Sequence, residues 1–174
     1  MLHIASRQVP PVLLRNRCLL GQAWGMPNRP NRVEVRRVEY GSLDYSKTVE
    51  LRSEVLRKPL GLTFTPEFLA QDAADFHFAA FKDEKLLGCL ILHPSDQTSM
   101  KMRQVAVSSE SQGLGVGRKL VEASEAFARE KNFKQMLLNA RDTAVKFYLN
   151  LGYEVVGDTF IEVGIPHNLM RKSL

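Results

Sequence analysis

The sequence of 174 residues has few cysteines and no long apolar run, and each absence excludes a class of protein. Its two cysteines, Cys18 and Cys89, lie far apart in apolar surroundings, so neither a disulfide framework nor a metal site is predicted. Both are expected to be small buried side chains in a reducing compartment. No stretch approaches 18 consecutive apolar residues, so no membrane-spanning helix and no membrane partner is predicted.

The first 33 residues contain no acidic side chain, and this gap explains the charge of the whole chain. Their basic residues are Arg7, Arg15, Arg17, Arg29 and Arg32. Subtracting these five from the 24 basic residues leaves 19, which the 19 acidic residues balance, so this segment carries the net charge of +5. A neutral remainder lacks the basic surface by which a domain binds nucleic acid, so no nucleic-acid partner is predicted. Binding of nucleic acid through the N-terminal arginines is an alternative.

Residues 1–32 are predicted to be a basic extension, and residues 33–174 to form one domain. The length and the 44% hydrophobic content suit one well-buried core and are short for two. The arginine-rich, acid-free start resembles an organellar transit peptide, but it has little serine and its prolines interrupt an amphipathic helix. The alternative is an extension that is either loose or packed against a neighbouring subunit. In the second case the chain would form a homodimer. The expected location is the cytoplasm, or an organelle if residues 1–32 are a transit peptide.

Apolar spacing and turn residues predict mixed strands and helices in the first half of the domain. Period-two alternation predicts a strand over residues 33–38. Ser42 and Asp44 can cap a helix that runs to about residue 58, where Pro59 ends it. Pro66 suits the first turn of a short second helix. The strands predicted next span residues 76–81, 86–92 and 101–107.

The second half of the domain is also predicted to contain both helices and strands. Residues 117–131 place apolar side chains on one face of a helix. Residues 143–151 have the apolar spacing of a second helix, which Gly152 ends. The predicted strands are 135–140, 153–157 and 161–165.

A glycine-rich loop separates the strand that ends at residue 107 from the helix that follows. Gly113, Gly115 and Gly117 occupy every second position there. Glycine permits positive φ and leaves no Cβ to obstruct a ligand, and a helix N-terminus favours an anion. The dinucleotide fingerprint and the P-loop both require a glycine where this sequence has Arg118, so both are excluded. The loop therefore predicts a diphosphate site of another kind, or a turn that binds nothing.

Three segments together resemble one known family. Gln112, Gly115 and Gly117 fit the pattern Q/R-x-x-G-x-G/A, which resembles the coenzyme A pyrophosphate loop of the GNAT superfamily of N-acetyltransferases. Residues 144–153 match the superfamily's A-x-x-F-Y-x-x-x-G-F/Y signature. Residues 165–170 look like the I-P-H-x-x-M ending of its ElaA-like acyltransferases.

The resemblance covers roughly residues 33–174 and implies an α/β (α+β) chain with the acetyltransferase fold. In that fold a central mixed, mostly antiparallel sheet is flanked by helices. Many members have an asparagine seven residues before the tyrosine of the signature, but this sequence has Arg141 there. Asn139 lies two residues away and receives no cofactor role.

The implied activity is transfer of an acetyl group from acetyl-CoA to an amine of a small molecule or a peptide, without a metal. One strand would offer its main chain to the pantetheine amides, and the loop amides, helped by the Arg118 or Lys119 cation, would bind the pyrophosphate. The residues assigned to the cofactor are Val105, Ala106, Val107, Gln112, Gly113, Leu114, Gly115, Val116, Gly117 and Arg118.

Two further residues receive roles from the resemblance. Tyr148 would be the general acid that protonates the departing thiolate, although a half-buried tyrosine on an apolar helix face is the structural alternative. His167 would contribute to substrate binding, or else would only fix the turn after Pro166. A protein that binds coenzyme A as a sensor or scaffold, without turnover, is the competing function.

Deleting residues 1–32 is expected to leave a folded domain, because this segment adds few apolar residues to a core. Thermal melts of the full chain and of the shortened chain would test this. If the shortened chain no longer unfolds cooperatively, the extension is structural.

Overall fold

The computed structural model describes residues 32–174, which form a single mixed sheet with helices on both faces. The strands are β1 (Glu34–Val38), β2 (Phe76–Lys82), β3 (Lys85–Pro94), β4 (Ser99–Val107), β5 (Gln135–Arg141), β6 (Glu154–Val155), β7 (Phe160–Glu162) and β8 (Ile165–Ser173). The helices are α1 (Leu43–Arg52), α2 (Pro66–Ala70), α3 (Val116–Glu130) and α4 (Val145–Leu149). Within the described part of the chain, no helix has both the length and the apolar character needed to span a bilayer.

The strand order is β1-β2-β3-β4-β5-β8-β6, with β7 paired to β8. Every pair of neighbours is antiparallel except β4 and β5, which run parallel and are connected through α3. A parallel pair needs such a crossover, whereas antiparallel neighbours can be joined by short turns. The fold class predicted from the sequence is therefore confirmed.

The helix predicted over residues 42–58 has the expected start but a different end. The Ser42 side chain accepts a hydrogen bond from the N–H of Tyr45, as a cap should. The α-helix then ends at Arg52 and continues as a π-helical turn, Ser53–Arg57, in which the N–H of Lys58 reaches back to Ser53. Pro59 lies in the next 3₁₀ turn, so it does not end the α-helix directly.

The predicted strand over residues 161–165 is wrong, because a tight turn divides it. Val163 and Gly164 have φ of 47° and 78°, and they connect β7 to β8. A β-branched residue rarely adopts positive φ, so the sequence around Val163 indicates a strand although the chain reverses there. The long last strand, β8, extends well past the predicted end. The helix predicted over residues 143–151 is also shorter, since a 3₁₀ turn, Asp142–Ala144, precedes α4.

The two faces of the sheet have separate cores. On one face, α3 buries Leu120, Val121 and Phe127 against the strands. On the other face, α1 buries Tyr45 and Leu51 against a smaller cluster, which includes Cys89. Burial raises the pKa of the Cys89 thiol to about 12, so this cysteine is an inert core residue, as predicted. Cys18 lies outside the described residues.

An ion pair is buried between α1, the segment before β2, and β4. The guanidinium of Arg52 lies 2.9 Å from the carboxylate of Asp72, and each side chain is only 1% exposed. The Tyr45 hydroxyl donates to the same carboxylate over 3.0 Å, and burial beside Asp72 raises the pKa of Tyr45 to about 12. Arg52 also donates to the side-chain oxygen of Gln104 over 2.9 Å. One buried cation therefore joins three elements of the fold.

Replacing Asp72 by Ala is expected to lower the free energy of unfolding by about 3–5 kcal/mol, because it leaves the buried Arg52 charge unpaired. Urea denaturation would measure the loss. The control is Glu154→Ala, which breaks an exposed pair with Arg171 at 2.6 Å and should cost about 1 kcal/mol or less.

A double variant separates the unpaired charge from the lost contacts. Arg52→Met with Asp72→Leu removes both charges, and it should be more stable than Asp72→Ala alone. If the double variant is the less stable of the two, the unpaired charge is not what destabilises Asp72→Ala.

Candidate active site

The parallel strands β4 and β5 pair over only part of their length and then separate. Their register runs from Ser99 opposite Gln135 to Met102 opposite Leu138. Beyond Met102, β4 continues to Val107 with no partner on this edge among the described strands. Backbone N–H and C=O groups on an open edge can pair with an extended ligand, as a further strand would.

A bulge in β4 lies at the point of separation. Cys89 pairs with Ala106 and Ile91 pairs with Arg103, so a single residue of β3 faces both Gln104 and Val105. Gln104 has φ of 50°, which is strained for a residue with a side chain. The hydrogen bond that Arg52 donates to the side chain of Gln104 holds this residue in place. Because a bulge bends and twists its strand, this one directs β4 away from β5.

A cavity of about 510 Å³ opens where the two strands separate. Its walls are the middle of β4, the end of β5, the turns between α1 and α2, α4, and the β7–β8 hairpin. Tyr148 and His167, both singled out from the sequence, line this cavity. Because these elements are distant in sequence, the fold is what brings the two side chains to one site.

The short helix α4 presents Tyr148 to the cavity. Its side chain is 6% exposed and packs edge-on against the rings of Phe147 and Tyr153, with centroids 4.9 and 5.6 Å away. Burial raises the pKa of the Tyr148 phenol well above its ordinary value. The hydroxyl therefore keeps its proton at neutral pH and can act as a hydrogen-bond donor inside the cavity.

His167 lies near the start of β8 and is buried. Its Nδ1 lies 3.0 Å from the carbonyl oxygen of Ile165, which can only accept, so Nδ1 carries the proton of this bond. The ring stacks on Phe160 at a centroid distance of 6.2 Å. His167 thus fixes the local turn and also faces the cavity, so the two roles considered for it are compatible.

The glycine loop begins just beyond the open edge of β4. Gly113 and Gly115 have φ of 76° and 77°, and nothing lies within 4 Å of where a Cβ would stand at either position. Gly117 is different: its φ is ordinary, and a Cβ there would approach the ring of Phe147 to 3.3 Å. Only the first two glycines are therefore required by backbone conformation, and they leave open space above the loop.

The loop leads into the N-terminus of α3, a helix of 15 residues. The N–H groups of its first turn, at Val116, Gly117 and Arg118, have no acceptor within the helix. The helix dipole adds partial positive charge at this end, so the loop suits an anionic group. An extended ligand that pairs with β4 would reach this site with its anionic end.

Sequence reasoning missed several residues of the cavity. Arg57, Gln104 and Glu162 line it, and no motif marked any of them. Arg141 was noted only as a departure from a family pattern, yet it also lines the cavity. Its Nη2 donates to the carbonyl oxygen of Leu56 over 3.0 Å, although Leu56 precedes it by 85 residues.

Comparisons with known proteins agree with this architecture. Residues 62–174 match the family model of the acetyltransferase (GNAT) domain. The Bacillus subtilis protein YyaT is 31% identical over 74 residues, which are 42% of this chain and 50% of that protein, so this chain covers about half of that relative.

Two solved structures show the same fold. The crystal structure of ElaA from Escherichia coli has a TM-score of 0.66 and 21% identity, over 81% of this chain and 99% of that one. The structure of an acetyltransferase from Elizabethkingia anophelis with acetyl-CoA bound has a TM-score of 0.65 and 17% identity, over 83% of this chain and 99% of that one. At these identities the two structures support the fold alone.

Proposed function

Since this chain belongs to the acetyltransferase (GNAT) domain family, we propose that it transfers an acetyl group to an amine of a small molecule or a peptide, by direct attack of the amine. The cofactor is acetyl-CoA. The observation that supports the proposal most is the continuity of the site: the open edge of β4 runs from the cavity with Tyr148 to the glycine loop.

The described residues fit this cofactor. The pantetheine chain is extended and carries two amides, which suit the edge of Val105, Ala106 and Val107 that faces away from β3 and has no partner among the described strands. The pyrophosphate suits the N-terminus of α3, where the space above Gly113 and Gly115 is open. Leu114 is exposed on this loop, Gln112 reaches the carbonyl oxygen of Val107 over 3.5 Å, and Arg118 is exposed at the start of α3.

Acetyl-CoA supplies a thioester whose carbonyl carbon can be attacked by an amine and whose sulfur departs as a thiolate. The proton for that thiolate is assigned to the Oη of Tyr148. Burial raises the pKa of this phenol, so it is protonated before transfer, and the proton released by the attacking amine restores it after the thiolate has been protonated. His167 also lines the cavity, and because its Nδ1 is bound to the carbonyl oxygen of Ile165, Nε2 is the ring nitrogen that we assign to acceptor binding.

Membership of the ElaA-like subgroup is part of the same proposal. It is supported by residues 165–170, I-P-H-N-L-M, which form the first part of β8 and carry His167 into the cavity wall. We also propose that the domain begins at residue 33 and that the protein is cytoplasmic.

The glycine loop is tested by replacing Gly115 with Glu. A carboxylate side chain would stand where the pyrophosphate is expected, so the Kd for acetyl-CoA measured by calorimetry should rise at least tenfold, about 1.4 kcal/mol. Gly41→Glu is a matched control, because Gly41 also has φ of 77° and open space around it but lies before α1. Unchanged affinity in a folded Gly115→Glu protein would reject this loop as the pyrophosphate site.

The acid role is tested by Tyr148→Phe, which keeps the ring and removes the hydroxyl. Affinity for acetyl-CoA should stay nearly unchanged, while kcat with an acceptor found in a panel of amines should fall about 10²-fold. Tyr153→Phe is the control, because Tyr153 is buried beside Tyr148 but does not line the cavity. Single-turnover measurement of coenzyme A release covers the case in which product release limits kcat, and an unchanged chemical step would exclude the acid role.

A further inference from the structure

The charged side chains that line the cavity are mostly basic. The basic ones are Arg57, Lys101, Arg103 and Arg141, and Glu162 is the acidic one. Arg103 has a carboxylate partner outside the cavity lining, Asp75, at 3.5 Å. Within residues 32–174, no carboxylate lies within ion-pair distance of Arg57, Lys101 or Arg141. Glu162 cannot balance three such cations, and its carboxylate already accepts a hydrogen bond from Asn139 over 2.8 Å.

Aromatic rings hold the guanidinium of Arg57. Its carbon lies 4.8 Å from the centroid of the Phe64 ring and 5.1 Å from that of Phe68, and these two rings stack on each other at 5.5 Å. A guanidinium on an aromatic face keeps its N–H groups, which lie in its own plane, available at the edge. Arg57 is therefore oriented without being neutralised.

A backbone carbonyl holds the guanidinium of Arg141. One of its nitrogens donates to Leu56, the residue next to Arg57, so this bond brings the end of β5 against the turn after α1. Two guanidinium groups thereby share one region of a partly desolvated cavity. Their mutual repulsion is consistent with the lowered pKa of Arg57: burial is the largest cause, the charge of Arg141 is the next, and Glu162 acts in the opposite direction.

The position of these cations separates them from the cofactor phosphates. The glycine loop and the start of α3, residues 112–118, do not line this cavity. The two arginines instead belong to the walls formed by the turn after α1 and by the end of β5. An anion bound there would be part of the acceptor.

We propose that the acceptor amine carries an oxyanion, either a carboxylate or a phosphate, which Arg57 and Arg141 bind. The proposal rests on the acetyltransferase function argued above and adds the class of its substrate. Guanidinium groups bind oxyanions through short, charge-assisted and often bidentate hydrogen bonds, which fix the orientation of the ligand. The same pair of charges disfavours polyamines and aminoglycosides, whose additional ammonium groups would be repelled.

Matched pairs of acceptors test the charge requirement on the unmodified full chain. A free amino acid is compared with its carboxamide, and glucosamine 6-phosphate is compared with glucosamine. Spermidine represents the polycationic amines. Release of coenzyme A is the readout, and the anionic member of at least one pair should have kcat/KM at least tenfold above that of its neutral partner. A difference within the amino-acid pair indicates a carboxylate, and a difference within the glucosamine pair indicates a phosphate.

Variants test the two residues. Arg57→Gln and Arg141→Gln should each raise the KM for the preferred anionic acceptor at least tenfold, while the Kd for acetyl-CoA stays unchanged. Arg171→Gln is the control, because Arg171 is an exposed arginine of β8 that does not line the cavity. The advantage of the anionic over the neutral acceptor should shrink in both cavity variants, which a merely structural role would not predict.

Other outcomes overturn one proposal or both. Transfer to neutral or polycationic amines, with no preference for their anionic counterparts, would reject the anionic acceptor but keep the acetyltransferase function. Binding of acetyl-CoA with no transfer to any member of the panel or to a peptide with a free N-terminus would reject the proposed function, and the substrate class with it.

Discussion

The hydrogen bonds of the buried Arg52 guanidinium are the interaction on which the rest of the site depends. One of its nitrogens donates both to Asp72, before β2, and to Gln104, in the bulge of β4. The bulge holds Gln104 at φ of 50°, a conformation that costs on the order of 1–3 kcal/mol and persists only where its surroundings fix it. If β4 remained straight it could stay paired with β5, and then neither the open edge nor the cavity would exist. A charge buried under the sheet thus determines the shape of a site in which that charge does not itself bind ligand.

The parts of the site that the sequence predicted are those whose chemistry is local. Gly113 and Gly115 adopt positive φ because the chain turns there from a strand to a helix. Residues close together in the sequence are enough to indicate that turn. Tyr148 was likewise found through a short segment around it. The order of helices and strands followed from apolar spacing, which depends on nearest neighbours along one element. The same local reasoning failed at Val163, because a β-branched residue rarely adopts positive φ and the strand pattern includes Gly164, which is itself a turn signal.

The parts that the sequence did not predict depend on contacts between distant segments. In the sequence, Arg52 is one charged residue of the helix that begins after Ser42, and charged residues are usually exposed. It is nevertheless fully buried, because Asp72 and Gln104 contact it from other elements. Arg141 reaches Leu56 only because β5 and the π-helical turn after α1 lie on the same side of the opening. A single sequence gives no signal for contacts between distant segments. The positive charge of the cavity could therefore be found only from the three-dimensional structure.

Three deviations from local rules lie around the cavity. They are the π-helical turn that ends at Arg57, the bulge at Gln104 and the turn at Val163. Several buried side-chain nitrogens of Arg52 and Gln104 also have no hydrogen-bond partner within the described residues, and each such group costs about 1–3 kcal/mol. The closely packed core under α3, by contrast, follows its predicted pattern. Backbone strain and unpaired polar groups beside a cavity are typical of a functional site, because stability and activity make different demands on the same residues.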